Sequence, residues 1–492
     1  MRIRSILVIG TILTASVLSG CKTNLLGGDA PVAAQPQAPA PPVVVEGMRT
    51  SYADIVERTS PAVVRIEAEV KEKPQSQTQF PGGDDFFRQF QVPQQNRRPQ
   101  IERGVGSGVI VSADGSILTN HHVVDGAQKI TVLMSDNKSY VAKVVGSDQP
   151  SDLAVLKIEA TDLPFLTLGN SDAVRVGDIV LAIGNPLGIG QSVTSGIISA
   201  KGRRTGLSDG SFEDFLQTDA PINRGNSGGA LVSLNGELIG INSQILSGGA
   251  GGGNIGIAFS IPSNMAKSVM EQLIKDGKVR RGMLGINIQN VTEELAKTLE
   301  LDQRSGVIVS NVRKGTAADK AGIKRNDLIV AINGEKIEDS NVLRNKVASS
   351  LPGSEIKVTI MRDGKEIELT ATLDEFEAGN ARNVGPGRND ENDGGPQNQS
   401  GKLGLSLDPV TPAIAKQLGL DSDEGMFVTE VDPDGPAAEE GVARGDVIIE
   451  VNKKQVNSIA DVQSALGSSG DKPVLLLISR RGTTIYLTVK PQ

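Results

Sequence analysis

Asn223-Arg224-Gly225-Asn226-Ser227-Gly228-Gly229 is the stretch on which the reading of this chain turns. A serine hydroxyl is a weak nucleophile. It needs a neighbouring base to take its proton and donors aimed at the oxyanion that develops during attack. Glycines on both sides let the backbone turn tightly enough for the N–H groups of Gly225 and Ser227, which flank Asn226, to converge on one point. Gly228 and Gly229 keep side chains away from a bound substrate. An ordinary turn can look the same, so the reading depends on finding a base and an acid to orient it. The chain has two histidines, His121 and His122, at the end of the strand-like run Gly115-Ser116-Ile117-Leu118-Thr119-Asn120. Downstream, Ser151-Asp152-Leu153-Ala154-Val155-Leu156 sets a carboxylate at the mouth of an apolar strand, where it can orient an imidazole and stabilise the imidazolium.

The surroundings read as mainly β. From Ser51 onward short apolar runs recur: Ala62-Val63-Val64, Val109-Ile110-Val111, Ile130-Thr131-Val132-Leu133 and Ile179-Val180-Leu181. They are short, rich in β-branched residues and closely spaced among turn-forming residues, which predicts a barrel or sandwich rather than alternating β and α units. Ser263 to Asp276 is the exception. Met265, Val269, Met270, Leu273 and Ile274 share a helical face there, and Gly277 stands where a C-cap belongs. Residues 71–102 interrupt the strands with Gln, Pro and Arg. A loop of that length in a compact domain is functional or disordered, and its Phe86, Phe87 and Phe90 are expected to dock against something.

Composition narrows the classes. A hydrophobic fraction of 38% supports real cores, and 57 glycines with 24 prolines favour turn-rich domains. The net charge of -8, with no long basic run, gives no reason to expect nucleic-acid binding. Two histidines and one cysteine are too few for a zinc site of the usual ligand types. The N-terminus reads as an export signal: Arg2 and Arg4 precede an apolar core from Ile6 to Val17, then Leu18-Ser19-Gly20-Cys21. That last motif looks like a bacterial lipobox, with Cys21 lipidated; the alternative is an ordinary signal peptide with a chance cysteine. Several acyl chains on one residue would anchor the protein stably. Residues 22–50, rich in Ala, Pro, Gln and Gly, form a flexible tether.

The C-terminal half contains a repeat. Gly306-Val307-Ile308-Val309 matches Gly425-Met426-Phe427-Val428, Thr316-Ala317-Ala318 matches Pro436-Ala437-Ala438, Asp327-Leu328-Ile329 matches Asp446-Val447-Ile448, and Asn333 matches Asn452. A period this long marks a duplicated domain. The expected division is a signal peptide at 1–21, tether at 22–50, first domain at 51–277, repeats at 278–375 and 401–492, and a linker at 376–400. Asn389 to Gly395 superficially suggests a calcium loop, but no Glu stands twelve positions on.

The order His, Asp, Ser is that of the chymotrypsin arrangement, not of subtilisin or the α/β-hydrolases. Thr119-Asn120-His121-His122-Val123-Val124, Asp152 to Leu156 and Gln217 to Gly229 resemble the HtrA (Do, DegP-like) serine endoproteases, and the likeness spans about 51–492. The resemblance implies a chymotrypsin-like double β-barrel followed by two PDZ domains. It implies His122 as base, Asp152 and Ser227 as its partners, and an oxyanion hole at Gly225, Asn226 and Ser227. His121 stands where relatives commonly carry Asn. Asn226 replaces the Asp that pairs with a new N-terminus in digestive enzymes, so the resemblance implies reversible activation, with Arg204 in the sensor loop from Gly202 to Phe215. The loop at 71–102 resembles a segment that occludes sites or bridges subunits. Ile245 and Leu246 would line the first specificity pocket and favour small aliphatic residues, unless they are ordinary core. Met283-Leu284-Gly285-Ile286 and Leu403-Gly404-Leu405 match PDZ carboxylate-binding loops, which catch a peptide added as an edge strand; the second copy could instead serve structure or assembly.

The resulting expectation is a periplasmic, membrane-tethered quality-control endopeptidase working through an acyl-enzyme, without metal, ATP or cofactor. Its partners would be unfolded polypeptides, hydrophobic C-terminal peptides and other copies of itself in a trimer-based oligomer. The rivals are a PDZ-based chaperone or scaffold and an esterase-type hydrolase.

Overall fold

The computed structural model describes residues 51–71, 101–186, 190–205, 212–223, 225–247, 253–299, 301, 306–376, 399–400, 403–418, 420, 423–467, 472–480 and 482–491. The expectations for Cys21, the tether, the phenylalanine-bearing loop and most of the 376–400 linker lie outside these residues.

Two closed barrels form the first domain. Strands β1 (Val63–Lys71), β2 (Ile101–Ile110), β3 (Ser116–Thr119), β4 (Ala127–Leu133), β5 (Ser139–Asp148) and β6 (Leu153–Lys157) close in the order β1-β2-β3-β6-β5-β4. Strands β7 (Ile179–Gly184), β8 (Ser192–Arg203), β9 (Phe215–Thr218), β10 (Ala230–Ser233), β11 (Leu238–Ser247) and β12 (Asn254–Pro262) close as β10-β11-β12-β9-β8-β7. Alternation accounts for β4, where Ile130 and Val132 point inward and Lys129 outward. In β6 the residues Leu153 to Leu156 are all buried, because one face fills the barrel and the other meets neighbouring elements. The barrels share a core in which Leu181, Ile183 and Ile241 of the second meet Leu118, Val123 and Leu153 of the first. Burying each such side chain is worth roughly 1.5–3 kcal/mol, which holds the two barrels against each other.

The predicted helix spans Ser263–Asp276, and Gly277 caps it in the left-handed conformation with its N–H on the Leu273 carbonyl. Its inward face is Ala266, Val269 and Leu273. Ile274, expected on that face, is 53% exposed; one residue beyond Leu273, it is rotated about 100° away from the barrel.

The repeats build two sheets with matching bonds. Ala318 N–H donates to Leu284 O and Arg313 N–H to Gly285 O; Ala437 N–H donates to Leu403 O and Asp432 N–H to Gly404 O. These pairs place Ala318 opposite Ala437, so Thr316-Ala317-Ala318 corresponds to Gly435-Pro436-Ala437, one residue earlier than the sequence match. The repeated aspartates are explained by burial: Asp327 accepts a guanidinium fork from Arg362 and Asp446 one from Arg480. Asn333 and Asn452 both adopt positive φ and bridge to the neighbouring strand at Lys357 and Leu475.

Candidate active site

The site lies between the barrels and is assembled from both. After β3, Asn120 leads into a single helical turn, His121–Val124. The Asp152 carbonyl holds this corner, accepting from Asn120 Nδ2 at 3.0 Å and from His121 N–H at 3.1 Å. Asp152 itself is left-handed, with φ 53°, a conformation Asp tolerates better than most residues. That twist aims its carboxylate back at the corner. Oδ1 and Oδ2 each lie 2.9 Å from His122 Nδ1, and His122 N–H donates to Oδ1 at 3.1 Å. With Nδ1 bound to the acid, Nε2 is left as the basic nitrogen. The adjacent His121 faces elsewhere: its Nδ1 is 2.6 Å from Ser147 Oγ on β5. Geometry therefore separates the two histidines.

Ser227 comes from the second barrel, in the loop between β9 and β10. The loop is bolted to β2 through Ser107, whose N–H donates to Ser227 O at 2.8 Å and whose Oγ donates to Gly225 O at 2.6 Å. Gly228 has φ +83°, and any side chain there would run into the Ser107 carbonyl and the Thr119 hydroxyl, which is why this position takes glycine. The Asn226 N–H donates to Asn223 O at 3.0 Å. That bond closes a turn, so the Asn226 N–H, expected among the oxyanion donors, is engaged within its own loop.

Ser243 on β11 ties the parts together. Its hydroxyl donates to Asp152 Oδ2 at 2.8 Å, and its carbonyl accepts from Ser227 Oγ at 3.0 Å. The Ser227 hydroxyl thus rests on the strand whose Ser243 also bonds Asp152; in unliganded hydrolase sites the bond between serine and histidine commonly forms only with substrate in place. The sequence reading missed both Ser107 and Ser243. Ser107 has a signal in Gly106-Ser107-Gly108, since glycines within a strand mark close backbone approach. Ser243, inside an apolar strand, has none. Of the expected pocket residues, Ile245 packs partly against the second-barrel core around Val180 and Ile198, and Leu246 is 41% exposed.

The first repeat touches this site through two routes. In the helix Ser340–Ser349, Asn341 and Asn345 both donate to the Glu213 carbonyl, at 2.9 and 2.8 Å. The Glu213 carboxylate accepts from Thr205 N–H and Oγ1, and Gln244, next to Ser243, donates to Thr205 Oγ1. Arg204 is exposed and acts on the same helix: burial first, then the Arg204 charge, lowers the pKa of Arg344. The second route is Arg281, which grips Asp148 with both guanidinium nitrogens at 2.8 and 2.6 Å; Asp148 in turn accepts from Ser151, the neighbour of Asp152. In the first repeat Gly285 has φ +80°, Leu284 is buried, Met283 lies in a short strand and Ile286 opens the edge strand Ile286–Asn290.

Asp214 sits where the first repeat approaches the barrels. Burial first, then the charge of Asp172, raises its carboxyl from 3.8 to about 6; Asp339 adds to this, while Lys201 and Lys346 oppose it. A folded-state value above the unfolded one means that the stabilisation is complete below about pH 4 and is lost as pH rises through 6. Asp214→Asn is expected to raise stability at pH 7.5 by up to about 2–3 kcal/mol and to flatten the gain that wild type shows on acidification to pH 5. Thermal melts at the two pH values measure both effects.

Residues 106–241 match the trypsin-like peptidase domain family, and 282–373 and 427–480 match PDZ domain families. The chain is 44% identical over 412 residues to a Chlamydia trachomatis protein named "Probable periplasmic serine endoprotease DegP-like", covering 83% of this chain and 79% of that one. It is 40% identical over 466 residues to a Haemophilus influenzae protein named "Probable periplasmic serine protease do/HhoA-like", covering 92% and 94%. Among solved structures, the HtrA-type protease AlgW with a tripeptide is similar at TM-score 0.55 and 41% identity, over 66% of this chain and 98% of that one.

Proposed function

Because the chain belongs to the HtrA, DegP-like family of periplasmic serine endoproteases, we propose that His122, Asp152 and Ser227 carry its peptide-bond hydrolysis. The observation that carries this is the hydrogen-bonded path from His122 through Asp152 and Ser243 to Ser227, built from both barrels. In the proposed reaction His122 Nε2 takes the Ser227 proton as Oγ attacks the scissile carbonyl. The amides of Gly225 and Ser227 receive the oxyanion. His122 then passes the proton to the leaving amine, and a water activated by the same imidazole releases the acyl group. Asp152 steadies the imidazolium, and no step calls for a metal or nucleotide.

The reading extends to unfolded polypeptides as substrates, cut after small aliphatic residues at a pocket including Ile245 and Leu246. The first PDZ domain would take hydrophobic C-terminal peptides at Met283 to Ile286 and regulate the site through Arg204 and the Thr205–Glu213 contacts. Lipidation at Cys21, a trimer-based assembly and the domain division given above complete it; the barrels and the matched family ranges support the division. A PDZ-based chaperone is the rival. Labelling of Ser227 by a fluorophosphonate, with and without a hydrophobic C-terminal peptide, tests nucleophile and regulation together. Labelling that increases with peptide is expected; none in either condition removes the protease mechanism.

A further inference from the structure

A peptide joins a PDZ-type fold as an added strand at a sheet edge, its carboxylate held by the loop that opens the edge strand. Such a peptide must run antiparallel to that strand. In the first repeat the edge is free: Ile286–Asn290 pairs with Val307–Val312 on one side and, among the described residues, with no strand on the other. In the second repeat the corresponding strand, Leu405–Pro409, pairs with Met426–Val431 and, on its other side, with Gln399–Ser400. That pairing is antiparallel, with Ser400 opposite Leu405 and Gln399 opposite Ser406. A segment of the chain itself therefore lies along the slot in the direction a peptide would take, at the end nearest Leu403-Gly404-Leu405.

Two further contrasts between the repeats point the same way. At the 119-residue offset, Gln399 and Ser400 correspond to Arg280 and Arg281. Those arginines are bonded elsewhere, Arg280 to Glu375 and Arg281 to Asp148, so the first edge stays clear. The groove floors also differ. Ile286 and Ile288 are half-buried, which leaves apolar surface for a bound side chain. Their counterparts Leu405 and Leu407 are each 1% exposed; that floor is already covered.

We propose that Gln399–Ser400 is a strand ligand which the chain supplies to its own second PDZ domain, and that this domain is a latent second site for hydrophobic C-terminal peptides. A tethered segment competes at an effective concentration on the order of mM, so peptides at micromolar levels reach only the first domain. Displacing the segment opens the second. The proposal rests on the peptide-binding reading of the repeats.

The test uses the full chain and a fluorescein-labelled decapeptide with an apolar C-terminal residue and a photoreactive benzophenone. Wild type is expected to bind one peptide per chain at micromolar concentration, with crosslinks confined to the first repeat. Gln399→Pro with Ser400→Pro removes the backbone donors of the segment. That variant should bind two, with new crosslinks at 403–409 and a second site tightened by about 100-fold. Circular dichroism melts check folding; if the prolines unfold the domain, Gln399→Gly with Ser400→Gly, which weakens the strand but keeps its donors, decides. Two peptides on wild type, or one on a folded variant with no crosslink at 403–409, overturns the latent site. Binding by neither wild type nor variants removes the peptide-binding reading, and this proposal with it.

Discussion

His122→Ala is expected to lower kcat/KM on an unfolded protein substrate by about 10⁴-fold or more, while His121→Ala stays within about threefold of wild type. The residues are neighbours of the same type, so the contrast isolates geometry. His122 Nδ1 is held by both Asp152 oxygens, which leaves Nε2 to act as base. His121 Nδ1 is engaged by Ser147 and takes no part in that path; losing this partly exposed bond costs about 1 kcal/mol of stability and no chemistry. Ser227→Ala should match His122→Ala, and combining the two should add little, since members of such a set act as one unit. Steady-state assays on the four proteins check this. Activity surviving His122→Ala, or lost in a folded His121→Ala, reverses the assignment.

Arg281→Ala is expected to cost about 3–5 kcal/mol, because it leaves the Asp148 carboxylate buried without its counter-charge. Both side chains are less than a tenth exposed, and Asp148 also receives bonds from Ser151. The loss should appear as detachment of the first PDZ domain from the barrels, seen as a lower first transition on heating and faster protease cleavage near residues 277–282. Replacing both partners, as Asp148→Asn with Arg281→Met, should recover much of the stability, since no buried charge then remains. A double-mutant cycle measures the coupling. Arg281→Ala that melts like wild type would show that the ion pair does not hold the domains together.

The residues proposed to do the chemistry were legible because each carries local constraints. Ser227 needs glycines around it, His122 ends a strand at a polar corner, and Asp152 opens an apolar run. Strand periodicity announced the β fold, and the 119-residue offset announced the duplication. The helix Ser263–Asp276 was legible with its cap, but the side on which Ile274 lies was not, because one residue of rotation is decided by the barrel it meets. The one-residue slip at Thr316 arose because short Ala-rich matches fit two registers; the 119-residue offset of the flanking matches already favours one, and the bonds to the carbonyls of Leu284 and Leu403 fix it.

From its own order of residues the chain determined which groups are available for catalysis, how many domains carry them and how the strands alternate, since these follow from local chemistry and periodicity. Tertiary structure decided which histidine meets Asp152, that the Asn226 amide bonds within its own turn, and that Ser107 and Ser243 join the two barrels at Ser227. It also placed Arg281 and Phe376 against Phe212. Those outcomes depend on distances between residues far apart along the chain, such as Ser227 and Ser107, and those distances are set only when separate cores pack together.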